Sequence, residues 1–259
     1  MIKRFFSLLS AVCLLAACAH PGFMSIQRQY TDPPIKVLAL RELGGHHLPF
    51  TNAAIPWLKG LDGVELTEIN NTDPITDEYL SSFDVFLQLD YPPYAWTQTA
   101  AEAFEDYIDK GKGGWIGLHH ASLLGEFDGY PMWQWFSDFL GGITFRSYIA
   151  ELSDGTVHAE GRAPFLRDLP RTFTIADDEW YTYDRNPREN PDIRVLATVD
   201  ESSYTAKTQV KMGDHPVIWT NIAKPARNLY IQFGHSPSLV ENPDFQTLLL
   251  NALQWASGR

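Results

Sequence analysis

The feature that most limits the fold is an alternation of apolar runs with helical patterns over residues 35–119. "IKVLAL" (35–40) is rich in β-formers and has no polar face, which predicts a strand buried on both sides. "FTNAAIPWLKGL" (50–61) has helical spacing, with Pro56 expected near its start or at a kink. "VELTEIN" reads as a second strand, and "ITDEYLSSF" as a short helix with Asp77 and Glu78 where the helix dipole favours acids. "FDVFLQLD" (83–90) predicts a third strand. "TQTAAEAFEDYIDKGKG" predicts a helix capped by Thr97 and closed at Gly111 or Gly113. "GWIGLH" is the next strand. Repeated strand–helix units with right-handed crossovers define an open, mostly parallel α/β sheet with helices on both faces.

Residues 121–170 are rich in glycine and aromatics and give no clear period. Strand-like runs follow at 173–183, 193–199, 216–222 and 228–233, and a last helix at 242–256. Hydrophobic residues at 44% and aromatics at 13% are enough for one full core. The net charge of −12 and the lack of any basic cluster argue against a nucleic-acid partner.

The N-terminus reads differently from the rest. "MIKRFFSLLSAVCLLAACAH" has basic residues Lys3 and Arg4, an apolar stretch too short for a comfortable span, and small residues before Cys18. "LAAC" (15–18) resembles a bacterial lipobox. That resemblance implies a signal peptide over 1–17, a lipid on Cys18, a tether over 18–34 and a domain over 35–259. It places the chain at the bacterial cell envelope, facing the periplasm or the exterior, with the membrane as a partner through the anchor. Removal of Lys3 and Arg4 would shift the charge from −12 to −14, and Cys13 would leave with the signal. A lipidated Cys18 then leaves no thiol for a disulfide, a nucleophile or a metal.

Chemistry is concentrated in the histidines. His20 falls in the tether and His158 in a polar stretch. His46 and His47 follow the first strand in "RELGGHHLPF", His119 and His120 end the strand of "GGWIGLHHA", and His235 ends another in "LYIQFGHSPS". Carboxyl ends of parallel strands lie along one edge, where ligands bind. These positions are therefore expected to converge. His215, in "GDHPVIW", precedes its strand and needs an antiparallel strand or a long loop to join them. In "FTIADDEWYTY" (173–183) a period of two puts Phe173, Ile175, Asp177, Glu179, Tyr181 and Tyr183 on one face and Asp178 on the other. The competing register buries Ala176 and Trp180 and leaves the acids in water. The sequence has no GxxxxGK[ST], GxSxG or HExxH motif.

Together "GGWIGLHHA" (113–121), "DEWYTYDRNPR" (178–188), "IRVLATVDESSY" (193–204), "GDHPVIWTN" (213–221) and "LYIQFGHSPSLVENPDFQTLLLNALQWA" (229–256) resemble the trehalose-utilisation (ThuA-like) family. That family has a flavodoxin-like, class I glutamine amidotransferase-like fold. By resemblance, His119, Glu179, His215 and His235 match recurrent family positions, and His46 and His47 match its N-terminal histidine loop. Class I amidotransferases carry a catalytic cysteine at the turn after the corresponding strand. This chain has His119-His120-Ala121 there, so glutamine hydrolysis is not expected. The resemblance implies a carbohydrate substrate, a disaccharide or its 3-keto derivative. His119 and Glu179 are the expected acid/base pair, with His235 orienting. His46, His47, His120, His215, Tyr181 and Trp96 are expected to contact the sugar. His119, Glu179 and His235 could also hold a divalent metal such as zinc. A non-catalytic sugar-binding lipoprotein is the alternative.

Overall fold

A computed structural model describes residues 33–259. The expected signal, Cys13, Cys18 and most of the expected tether lie outside the described residues. The elements run β1 (Ile35–Arg41), α1 (Leu48–Lys59), β2 (Val64–Ile69), α2 (Asp77–Leu80), β3 (Val85–Leu89), α3 (Gln98–Asp109) and β4 (Gly114–Leu118). Then come α4 (Gln134–Phe139), β5 (Phe145–Tyr148), β6 (Ser153–Ala159), β7 (Thr172–Asp178) and β8 (Tyr181–Tyr183). The chain closes with β9 (Ile193–Asp200), β10 (Pro216–Asn221), β11 (Asn228–Ile231) and α5 (Pro243–Ala256).

Among the described residues a nine-stranded sheet has the order β2-β1-β3-β4-β11-β10-β9-β6-β7, and β5 pairs with β8 in a separate ribbon. The stretch from β2 to β11 is entirely parallel. β10 and β6 run against the other strands. The apolar runs follow from burial on both faces. On β1, Val37 and Ala39 join a core with Phe50 of α1 and Leu249 of α5. Leu38 and Leu40 join the opposite core, with Phe104 of α3 and Phe136 of α4. This is the flavodoxin-like, class I amidotransferase-like architecture.

Local signals explain the helix ends. Thr97 caps α3 by accepting from Ala100 N–H, and Asn242 caps α5 through Asp244 and Phe245 N–H. Pro56 sits inside α1 and not at its start. It lies on the exposed side, where the carbonyl that it leaves unpaired can be hydrated. No helix of the described residues is long and apolar enough to cross a membrane.

The expected single strand over 173–183 is instead two strands in two sheets. At Asp177 the backbone turns to φ +54°, and the register of β6 against β7 slips between Ser153 and Gly155. The alternation ends there, so Asp178 is buried, as is Trp180, while Asp177 faces solvent.

Candidate functional site

The carboxyl edge of the parallel strands gathers the chemistry. His47 follows β1, Asp90 follows β3, His119 follows β4, Glu179 follows β7 and His235 follows β11. A cavity of about 420 Å³ opens there, within the range of small-molecule sites. His46, His47, His120, Glu179, Tyr181 and His235 line it, with Phe145 and Tyr148 of the ribbon on its wall. A cavity of about 400 Å³ near Arg162 and Arg171 is lined by no histidine or carboxylate.

His119 occupies the sharp turn between β4 and a single 3-10 turn, His119–Ser122, at φ +39°. Gly234 allows this close approach. A Cβ there would lie 2.5 Å from the His119 Cβ and 2.6 Å from an Asp90 carboxyl oxygen. His119 Nδ1 lies 2.8 Å from the Gln232 carbonyl, which can only accept, so Nδ1 carries the proton. Nε2 then presents its lone pair 3.3 Å from Glu179 Oε2. The same oxygen is 3.5 Å from His235 Nδ1. His47 Nδ1 and His120 Nδ1 both reach Glu42 Oε2, at 2.8 Å and 2.6 Å. The His47 ring sits 5.1 Å from His119 and 5.2 Å from His235.

Burial and charge set the protonation. Burial pushes His119 down to about 4, more than Glu179 restores, so this ring is neutral at pH 7. Burial also lowers His47. Burial works against ionisation of Glu179, whereas a positive charge on the adjacent His235 ring favours it. Burial likewise opposes ionisation of Glu42, but His120 and His47 bring it down to about 2. Asp90 is fully buried and its carboxyl is raised well above the usual value, first by burial and then by Glu42 and Asp178. Its environment thus favours the protonated form, next to the His119 turn.

Two residues expected at the sugar lie elsewhere. β10 is antiparallel and does bring His215 to this edge, but one layer out. His215 Nε2 donates to the Tyr181 carbonyl at 2.8 Å, and Nδ1 faces Tyr204 and Glu201. It braces Tyr181 and does not line the cavity. Trp96 donates to the Pro92 carbonyl and packs on Phe86, Phe104 and Trp133, because the loop after β3 folds it over the α3 core. Its ring is a packing element and does not line the cavity. Trp180 is likewise buried, with its N–H on the Ser153 carbonyl.

Glu42, Asp90, Asp178 and Gln232 were not anticipated. Asp178 accepts backbone N–H groups from Glu179, Gly234, His235 and Ser236, and so fixes the loop that carries His235. Glu42 and Asp90 had a readable signal: each is an acid directly after a buried strand, as His119 is. Gln232 holds His119 through its backbone carbonyl, which left no signal, and its side-chain amide donates to the Tyr181 carbonyl.

The sheet order, the helices on both faces and the residue held at the turn after β4 define a class I amidotransferase-like fold. The structure of a GMP synthase subunit from Thermoplasma acidophilum shares this fold alone. It is 12% identical, over 87% of this chain and 95% of that one, with a TM-score of 0.53. The profile of the ThuA family, described as trehalose utilisation, matches residues 36–256, and the chain belongs to that family. A ThuA-like protein of Bacteroides uniformis is similar at 28% identity, over 90% of this chain and 95% of that one, with a TM-score of 0.78. A ThuA-like protein of Parabacteroides merdae is similar at 16% identity, over 86% and 90% of the two chains, with a TM-score of 0.65. No curated protein matches the sequence. Family membership implies a carbohydrate-related function.

Proposed function

We propose that this chain is an enzyme that acts on a sugar or a 3-keto-sugar glycoside by acid/base or metal-assisted chemistry at the His119–Glu179–His235 cluster. The observation that carries the reading is the convergence of unpartnered ring nitrogens on one carboxylate, open to the cavity. His47 Nε2, His119 Nε2 and His235 Nδ1 are buried without a hydrogen-bond partner. Leaving buried polar atoms unpaired is costly, and such costs persist where a bound group repays them. His46, His120 and Tyr181 line the same cavity and would contact the sugar, with Tyr148 as an exposed aromatic face.

Next to the carbonyl of a keto-sugar, imidazole and carboxylate can take and return a proton, which serves isomerisation, elimination or hydrolysis. The described residues contain no cysteine, so the amidotransferase nucleophile has no counterpart after β4. The envelope location and the Cys18 anchor remain part of this proposal, on the strength of Lys3, Arg4 and "LAAC".

The test is a panel of glycosides and 3-keto-glycosides incubated with the purified chain. Turnover that falls by about two to four orders of magnitude in Glu179→Gln supports the enzyme. Sugar binding without product, unaffected by loss of His119, would replace it with a non-catalytic sugar-binding protein.

A further inference from the structure

We propose that His47, His119, Glu179 and His235 form a mononuclear site for a divalent transition-metal ion, zinc by donor type. The inference shares the cavity of the proposed enzyme but rests on geometry alone, and it depends on the sugar reading only for what the ion would do there.

One donor atom from each of the four lies within 4.8 Å of every other. The spacing is informative. His119 Nε2 and His235 Nδ1 stand 3.3 Å and 3.5 Å from Glu179 Oε2, and neither nitrogen makes a hydrogen bond. Imidazole–carboxylate hydrogen bonds close to about 2.7–2.9 Å. Donors placed tetrahedrally at bond lengths of about 2.0–2.1 Å stand about 3.3–3.4 Å apart. The two Glu179–histidine separations match the second geometry.

The second ring nitrogens support the same conclusion. A histidine that ligates a metal usually donates its other N–H to a carboxylate or a carbonyl, which fixes the tautomer. His47 Nδ1 is held by Glu42 and His119 Nδ1 by the Gln232 carbonyl. Each arrangement leaves Nε2 as a bare lone pair aimed at the cluster. His119 is fully buried and His47 nearly so, whereas Glu179 and His235 keep 12% and 17% of their side chains exposed. The cluster is thus closed on the protein side and open toward the cavity, as a site that admits a substrate requires.

A neighbouring group, Glu42, His47 and His120, also brings three donors together. It does not compete. Glu42 Oε2 already accepts two short hydrogen bonds, and an ion there would have to break both. Glu42 is the outer partner of the site. With an ion in place Glu179 is a ligand and not a free base, and the ion supplies a Lewis acid for a sugar carbonyl or hydroxyl.

The experiment uses the tag-free chain, stripped with a chelator and dialysed, then titrated calorimetrically with Zn²⁺ and, in parallel, with Co²⁺ followed by visible absorption. The expected result is one equivalent bound, with cobalt bands of a low-coordinate N/O site. His119→Ala and Glu179→Gln abolish binding, and Glu42→Gln weakens it by about 10–100-fold, the usual effect of losing an outer partner. His158→Ala, at an exposed position, leaves it unchanged. Circular dichroism of the metal-free variants separates lost ligands from lost folding, and the wild-type titration needs no variant. Absence of binding by the wild type overturns the inference. So does binding that survives Glu179→Gln but is lost in His120→Ala, because the ion then sits in the neighbouring group. Metal binding without sugar turnover keeps this inference and removes the enzyme reading; sugar turnover by a wild-type chain that takes up no metal in the titration does the reverse.

Discussion

Asp178→Asn tests how the cavity is held. Asp178 Oδ1 accepts from Glu179 N at 3.0 Å, His235 N at 2.9 Å and Ser236 N at 3.2 Å, and Oδ2 accepts from Gly234 N at 3.2 Å. An asparagine keeps one carbonyl oxygen. Its best orientation preserves the three bonds to Oδ1 and turns the amide NH2 toward Gly234 N–H, donor against donor. One hydrogen bond is lost and one buried donor is stranded, which costs about 1–3 kcal/mol. The three surviving bonds also weaken when the acceptor loses its charge. Part of this is offset, because burial raises the Asp178 carboxyl and disfavours its charge to begin with. The net expectation is a loss of about 1–3 kcal/mol, or about 2–12 °C in Tm for a domain of this size. The readout is thermal unfolding by circular dichroism, paired with affinity for the sugar that reacts. Asp177→Asn is the comparison: its carboxylate faces solvent, and its change should stay within about 0.5 kcal/mol. Equal melting of Asp178→Asn and wild type would refute the claim that this carboxylate organises the 234–236 loop.

Gly234→Ala forces a Cβ to 2.5 Å from the His119 Cβ, so stability should fall by about 1–3 kcal/mol or more and turnover should collapse with it, read from the same melts and activity assay. Trp96→Ala should cost about 3 kcal/mol while leaving sugar Kd unchanged; a weakened Kd in the folded variant would return Trp96 to the binding surface. His215→Ala should destabilise by about 2–4 kcal/mol through the lost bond to Tyr181 and the void, yet reduce kcat/KM less than His235→Ala does. Cys18→Ser should move the protein from the membrane fraction to the soluble fraction, and wild-type protein found soluble in the periplasm would remove the anchor.

The parallel half of the sheet was legible because burial on both faces leaves an apolar run with few polar interruptions, as in "IKVLAL" and "FDVFLQLD". The convergence of His47, His119 and His235 followed from the same logic, since parallel strands end on one edge. Glu179 reached the cavity for a different reason from the one expected. A period of two assumes continuous strand geometry, and the positive φ at Asp177 ends it. Beyond that point neither register applies: Asp178 and Trp180 are both buried, and Glu179 is half-buried beside the histidines. His215 shows a second limit. Its strand direction was readable as a condition, but the layer in which its ring would sit depends on β8 lying in a separate ribbon, which no local pattern announces. Trp96 was expected at the sugar and lies in the α3 core, because aromatic side chains serve a core and a sugar platform equally well.

The four proposed donors come from the ends of four strands that are distant in the chain, between residues 47 and 235. No single supersecondary unit contains two of them at close range in sequence, so no partly folded segment can assemble the set. A ligand that engages all four therefore binds only the finished sheet and gains nothing from any fragment. Such a ligand at a hundred times its Kd adds about 2.7 kcal/mol to global stability. It also draws the two cores, one on each side of the sheet, into one unfolding event. Site occupancy and cooperative folding would rise and fall together, and protease resistance of the whole domain would report on whether the site is filled.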